Sequence, residues 1–336
     1  MKFLFSIVLL TCQVLQFSCS SPLIDEGHVI DEPLNIPLKD MIAFSAVYSP
    51  RPKSYDYKII LADFNDITKH QIIDDKGMSL AYPRFNKNKN MILLNNYSDY
   101  VFDGGPGFAI YDVVYNFLYR LNPENTLNTV CGIEPVWFPD GTGFYFRGIQ
   151  FTTTETFNIN DRVLDNFLIN GRFGASVEAV IGQDTLLVYA CGTPVEPEER
   201  CFCLSDFSGN YISKVDNPNL IRYTSDQTIK KYVDGIDFNS KYGLLTYREF
   251  NRDSGYIGRI AVTDLKGDYY INYTDGPQDY NPVWGPGGRY ILFQRGLRES
   301  HYDYFKIMLI DTETGVVRDF ILPEDFGAVS VKYPDF

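Results

Sequence analysis

The sequence predicts an all-β fold: a six-bladed β-propeller of four-stranded antiparallel blades, its ring closed by the C-terminal strand. Three observations predict it. First, Glu134–Gly148, "EPVWFPDGTGFYFRG", and Asn281–Arg295, "NPVWGPGGRYILFQR", share Pro-Val-Trp-x-Pro-x-Gly followed by an aromatic-rich run. Second, a weaker form of the pattern returns at intervals of about 50 residues, a period that signals an array of supersecondary units. Third, the chain is 15% aromatic, with 25 Tyr and 25 Phe, a composition that suits pleated, half-buried strands.

The units are justified in chain order by their anchors. Trp137 and Trp284 lie 147 residues apart, three periods of about 49. Phe85, Val180 and Phe238 occupy the same place in "YPRFNKNKNMILL", "VEAVIGQDTLLVY" and "GIDFNSKYGLLTY". A second signature follows each strand pair: an apolar strand ending in Asp and then a polar turn, at Asp63, Asp206, Asp264 and Asp311. Each unit therefore reads as four short strands separated by turn residues, which is the sequence form of a propeller blade. A single blade cannot bury both faces; radial packing against neighbours does it.

Near the C-terminus, "AVSVKYPDF" reads as a first strand with Tyr333 as its anchor, completing the blade that begins at "DMIAFSAVYS". The competing arrangement uses "EPLNIPLKD" for that strand. Closure by the C-terminal segment is favoured because an unpaired strand edge is a liability. The blades then fall at 41–78 (with the C-terminus), 79–128, 129–172, 173–228, 229–277 and 278–325. Residues 41–336 form the propeller, and 19–40, acidic and Pro-containing, read as a tether or outer strap.

The Pro-x-Trp-x-Pro-Asp/Gly-Gly element, strand, and "xIxLxDxxTG" pattern is similar to the TolB-type (WD-like) propeller repeat. The match is strongest at Trp137/Asp140/Gly141 and Trp284/Gly287/Gly288. This resemblance covers nearly all of the chain from Met41 onward. It implies a fold and says little about activity, because one fold hosts many functions.

Residues 1–18 read as an export signal: Lys2 supplies the positive start, Phe3–Leu10 an apolar run too short to span a bilayer. Ser18-Cys19, followed by two serines, resembles a bacterial lipoprotein signal of the Bacteroidetes type, which implies lipidation at Cys19. Gln16 and Phe17 depart from the usual lipobox, and an ordinary cleaved signal peptide is the alternative. Either reading places the mature protein outside the cytoplasm; the expected location is the cell envelope, the lipidated form anchored to the outer membrane.

The formal charge is −13. An acidic balance without a basic cluster argues against nucleic acid or an anionic membrane surface as partner. Of six cysteines, Cys191 and Cys201 or Cys203 lie on adjacent predicted strands, so a cross-hairpin disulfide is expected there, Cys191–Cys201 first and Cys191–Cys203 as the alternative. Three His residues and dispersed cysteines fit no metal-ligand spacing, so neither metal nor cofactor is expected.

Nucleophile-elbow, zincin, Walker and dinucleotide-loop motifs are absent from the sequence. "DGGPGFAIYD" is Gly-rich but precedes no helix. Ligand-binding residues are therefore expected in the loops between second and third strands, where propeller loops crowd one end of the channel. Those loops carry Asp99, Tyr100 and Asp103; Glu198 and Arg200; Arg252 and Tyr256; Glu299, His301, Tyr302 and Asp303. Aromatic rings with carboxylates suit a protein partner or a glycan. The expected function is a non-catalytic envelope propeller with such a ligand. One alternative is a carbohydrate-active enzyme using paired carboxylates at the ring mouth, and another is a structural subunit of an envelope complex.

Overall fold

The computed structural model describes residues 28–29, 36–48, 56–74, 79–101, 105–121, 132–148, 154–161, 163–168, 176–182, 184–189, 201–220, 231–251, 257–276, 278–296 and 304–336. Six antiparallel sheets account for nearly all of it. Blade one joins β2 (Met41–Val47), β3 (Tyr57–Asp63) and β4 (Asp66–Ile73) to β25 (Ser330–Asp335). Blade two is β5 (Leu80–Phe85), β6 (Met91–Val101), β7 (Gly105–Asp112) and β8 (Phe117–Arg120). Blade three is β9 (Ile133–Trp137), β10 (Gly143–Arg147), β11 (Thr154–Asn158) and β12 (Val163–Phe167). Blade four is β13 (Ser176–Ile181), β14 (Thr185–Tyr189), β15 (Phe202–Asp206) and β16 (Tyr211–Lys214). Blade five is β17 (Lys231–Asn239), β18 (Leu244–Asn251), β19 (Ile257–Asp264) and β20 (Tyr270–Asn272). Blade six is β21 (Asp279–Trp284), β22 (Tyr290–Gly296), β23 (Phe305–Asp311) and β24 (Val316–Ile321).

The inner strands β25, β5, β9, β13, β17 and β21 touch in that cyclic order, so the ring is closed. Closure comes from the C-terminal strand: β25 pairs with β2 in the register Val47↔Ser330 to Ala43↔Asp335. The competing segment, Leu38–Asp40, forms a short 3-10 turn. Upstream, β1 (His28–Val29) pairs with Phe117 and Leu118 of β8, making a fifth strand on blade two. That pairing covers a strand edge that would otherwise be open.

Each seam between blades holds its own apolar cluster. Trp137 packs with Phe108 and Phe144 between blades two and three. Trp284 packs with Ile260 and Phe293 between blades five and six. Phe85 and Phe238 fill the equivalent places in the seams of blades one–two and four–five. Burial of each such ring is worth about 1.5–3 kcal/mol. Turns between first and second strands are short. In "GPGG", Gly287 and Gly288 both have positive φ, and a Cβ on Gly288 would meet the Asn239 amide at 2.1 Å.

One anchor moves. The register Val283↔Leu292 and Tyr280↔Gln294 in blade six corresponds to Asp335↔Ala43 and Lys332↔Ser45 in blade one. Tyr333 is thus the counterpart of Asn281, and Phe336 is the counterpart of Trp284. Phe336 sits in the blade six–one cluster with Phe64, their ring centroids 6.2 Å apart. The expected anchor at Tyr333 is corrected to Phe336, because Tyr333-Pro334 forms a bulge that three other blades also build before Pro.

The disulfide is also shifted. Cys203 is disulfide-bonded, whereas Cys201 carries a thiol. Cys203 on β15 pairs with Val188 on β14 and is fully buried in the seam of blades three and four. Strand alternation puts its side chain on the same face as that of Cys201. Cys201, just before the strand, is half-exposed. Cys191 and the other cysteines lie outside the described residues.

Candidate functional site

Every inner strand is interrupted at the same height by a β-bulge. The register shifts fall between Ala81 and Arg84, Ile133 and Val136, Val177 and Ala179, Asp234 and Asp237, Tyr280 and Val283, and Lys332 and Asp335. In five blades the bulge opens on a left-handed residue: Tyr82 (φ 53°), Glu134 (54°), Gly235 (60°), Asn281 (48°) and Tyr333 (52°). In all but the glycine case the next residue is Pro. The pairing has a physical reason. A bulge leaves one N–H out of the ladder, so Pro forfeits no bond there.

Three positions ahead of each blade's anchor stand Tyr333, Tyr82, Glu134, Val177, Gly235 and Asn281, in blade order. Two neighbouring pairs among them approach closely. The Tyr82 and Tyr333 rings stack with centroids 3.6 Å apart, and the Tyr82 hydroxyl donates to Tyr333 at 2.6 Å. A Cβ on Gly235 would lie 3.5 Å from the Asn281 Cα. The strained N–H groups are caught by the preceding blade: Tyr82 donates to Ser45 Oγ at 3.1 Å and Tyr333 to Gln294 Oε1 at 2.9 Å.

Around blades one and two the mouth is aromatic. Tyr57 stacks on Tyr97 at 5.6 Å, and Tyr97 lies 6.2 Å from Tyr82. Burial, reinforced by Tyr333, holds the Tyr82 phenol well above its usual pKa, so it stays protonated. Around blades five, six and one a row of cations alternates with rings. The Arg248 guanidinium lies 3.9 Å from the Tyr280 centroid and pairs with Asp234 at 3.2 Å. Tyr280 meets Phe305 edge-on at 5.7 Å, and Lys332 sits 5.0 Å over Phe305.

Blades three and four supply carboxylates. Glu134 pairs with Arg147 at 2.9 Å and keeps 57% of its side chain exposed. Glu178 accepts a hydrogen bond from Ser176 Oγ at 2.5 Å. A cavity of about 10 Å³ is lined by Glu134, Arg147, Thr154, Ser176 and Val177 among others. That is room for one water.

Of the loop residues expected from sequence, two fall on described backbone. Asp99 and Tyr100 belong to β6, whose backbone alone is described there. Asp103, Glu198, Arg200, Arg252, Tyr256, Glu299, His301, Tyr302 and Asp303 lie outside the described residues, as does Cys19. The strand ends flanking three of those loops are described: Tyr189 faces Ser176, Asn251 faces Lys231, and Gly296 and Phe305 face each other. These are the mouth ends of the blades, where inner strands begin. Sequence reading missed the bulge ring itself. Its signal was the residue before each Pro, three positions ahead of the anchor.

No protein-family profile matches the sequence, and no curated protein matches it. Solved structures do. TolB from Acinetobacter baumannii superposes with a TM-score of 0.62 at 11% identity, over 88% of this chain and 66% of that one. The nidogen/laminin complex gives 0.56 at 10% identity, over 88% of this chain and 97% of the matched chain. A TolB homologue from Agrobacterium tumefaciens gives 0.52 at 11%, over 87% and 98%. This chain thus spans just under two thirds of the Acinetobacter protein. At such identities the likeness defines architecture, and the architecture is a TolB-like six-bladed β-propeller.

Proposed function

We propose that the protein is an exported, envelope-located propeller that acts without catalysis, by holding a protein partner against the mouth of its channel. The observation that carries this reading is the ring of inner-strand bulges. It sets the Tyr82–Tyr333 pair and the exposed Glu134 on backbone that the blade register fixes, a rigid base for recognition of a partner. The sequence adds an export signal and, at Cys19, a residue suited to lipid attachment. Two of the similar structures are TolB proteins, and a third is a complex between two proteins, nidogen and laminin.

The test is site-specific photocrosslinking in the native envelope. A crosslinker at Tyr97, on the mouth, is compared with one at Val316, on the opposite rim. A discrete protein adduct from Tyr97 alone is expected. Adducts from Val316 alone, or a glycan-array signal with no protein adduct, would overturn the reading. Cys19→Ser tests the anchor: the variant is expected in the soluble fraction, and continued membrane association would refute lipidation.

A further inference from the structure

We propose that Tyr82 and Tyr333 form an oxidative modification site, where peroxide-driven one-electron oxidation joins the two rings as a dityrosine and so closes the propeller covalently. Tyr82 lies on β5 and Tyr333 on β25, 251 residues apart in the chain. Their rings stack with centroids 3.6 Å apart and planes inclined by only 25°. The Tyr82 hydroxyl donates to the Tyr333 hydroxyl at 2.6 Å. Stacking and that bond together bring the two oxygens, and the ring carbons ortho to them, against each other. The chain of rings continues outward: Tyr97 is hydrogen-bonded to Tyr82 at a ring separation of 6.2 Å, and Tyr57 stacks on Tyr97 at 5.6 Å. Four tyrosines thus run without a gap across blades one and two, a path along which an electron vacancy made at one ring reaches the others.

The chemistry balances as follows. Oxidation of Tyr333 removes one electron, and its hydroxyl proton leaves to water. The resulting phenoxyl accepts a hydrogen atom from the Tyr82 hydroxyl along the bond they already share, so the radical is held by the pair. Burial keeps Tyr82 protonated, and its proton therefore leaves only together with an electron. A second oxidation makes both residues phenoxyls. Unpaired density in a phenoxyl lies on the oxygen and on the ortho and para carbons, and the para carbon already carries Cβ. The ortho carbons therefore join, the rings swinging from face to edge as the bond forms. The hydrogen on each joined carbon then moves to its own oxygen, restoring both phenols. The pair has lost two electrons and two protons. One hydrogen peroxide takes them up and becomes two waters.

Backbone sets this pair. Tyr82 and Tyr333 stand at left-handed φ, 53° and 52°, on bulges that the blade register fixes. Their meeting point is the junction between the last strand of the chain and the second blade, where the ring is otherwise held by non-covalent contacts such as Asp335 with Phe85 and Arg84. A cross-link there restricts the unfolded chain over nearly the whole propeller, which is where a covalent bridge stabilises most. The disulfide at Cys203 fits a chain that matures in an oxidising compartment. The site needs no open surface and does not depend on which face holds a partner.

The experiment treats the full mature chain, at low concentration, with hydrogen peroxide and a haem peroxidase, and analyses the monomer. Dityrosine fluorescence is expected in the monomer. A peptide map is expected to contain one cross-linked pair holding Tyr82 and Tyr333, two hydrogens lighter than the sum of its parts. The oxidised monomer is expected to melt at a higher temperature than the untreated one. Tyr82→Phe and Tyr333→Phe keep a ring in the stack and remove the hydroxyl; each is expected to abolish both the monomer fluorescence and the gain in melting temperature. Tyr115→Phe, at a tyrosine that is 74% exposed, is expected to leave both unchanged. Circular dichroism confirms that the variants fold, and the map of the unmutated chain does not depend on them. Monomer fluorescence that survives in Tyr82→Phe would overturn the proposal. So would intact Tyr82 and Tyr333 peptides in a sample whose exposed tyrosines have cross-linked between chains.

Discussion

The Asp335 carboxylate accepts the backbone N–H of Phe85 at 2.6 Å and the Arg84 guanidinium at 3.1 Å, joining the last strand of the chain to the second blade. The same strand is held on its other side by Phe305 N–H donating to Ser330 Oγ at 2.9 Å. Ring closure is thus a set of side-chain clasps added to the β2–β25 ladder. Asp335→Ala leaves a partly buried N–H and a guanidinium without their acceptor, and is expected to cost about 2–3 kcal/mol. Asp335→Asn keeps an acceptor for Phe85 and is expected to cost less. Urea titration orders the two; equal midpoints for Asp335→Ala and wild type would show that the clasp does not hold the ring.

A second carboxylate makes the same kind of bond. Asp237 Oδ2 accepts the Trp284 N–H at 2.7 Å across the seam of blades five and six. Burial raises its pKa above the usual carboxylate range; the Trp284 N–H opposes the rise, and the charge of Asp335 adds to it. The sign follows from linkage. Between the unfolded value and the raised folded value the native state binds more protons, so this contribution is fully present below the unfolded pKa and is lost as pH rises through the folded one. Asp237→Asn keeps an acceptor and does not titrate. Its stability relative to wild type is therefore expected to improve from pH 4 to pH 7, read by melting temperature in matched ionic strength. A difference that is flat across that range would contradict the assignment.

The two tryptophans are equivalent in sequence but not in bonding. Trp137 Nε1–H donates to the Arg84 carbonyl at 2.7 Å, whereas the buried Trp284 Nε1 has no hydrogen-bond partner among the described residues. Trp→Phe removes ring area at both sites, but only at Trp137 does it also orphan a carbonyl. Trp137→Phe is expected to destabilise by about 1 kcal/mol more than Trp284→Phe. Chemical denaturation of the two variants measures the difference, and the reverse order would refute it.

The bridge at Cys203 gives a covalent prediction. A native disulfide typically contributes about 2–4 kcal/mol. Reduction, or Cys203→Ser, is expected to lower the melting temperature, while Cys201→Ser is expected to leave the bridge intact. A non-reducing peptide map identifies the bonded peptides; a bridged peptide containing Cys201 in place of Cys203 would reverse the assignment.

Blade number, strand order and closure were legible because they rest on repeated residues: Trp137 and Trp284 mark the same seam position, and Asp206, Asp264 and Asp311 end the same strand. The anchor of the first blade was misread at Tyr333 because its repeat is clipped to "YPDF", which hides that Pro334 aligns with Pro282. Alternation on β15 does not separate Cys201 from Cys203, since both face the same side; their different depths in the seam do. The site was harder to read. Long polar loops signal exposure, and so drew the reading toward Asp99, Glu198 and Tyr302. A bulge is invisible to periodicity, since one extra residue merely breaks the alternation. Only the recurrence of x-Pro three positions before the anchor betrays it, at Tyr82, Glu134, Asn281 and Tyr333.

That recurrence can be tested through backbone strain. A left-handed conformation costs an ordinary L-residue about 1–2 kcal/mol relative to Gly. Blade five has Gly235 at this place with φ 60°, and blade six has Asn281 with φ 48°. Nothing approaches a Gly235 Cβ closer than 3.5 Å, so the cost of a side chain there is conformational rather than steric. Gly235→Val is therefore expected to destabilise by about 1–3 kcal/mol, because branching at Cβ adds to the penalty. Gly235→Asn, which reproduces the blade-six residue, is expected to cost clearly less. Asn281→Gly is expected to change stability by under about 1 kcal/mol, the relief of strain being offset by the greater chain entropy of Gly. Urea unfolding of the three variants decides the matter. Equal losses for Gly235→Val and Gly235→Asn would mean that φ at this position is not what constrains the bulge.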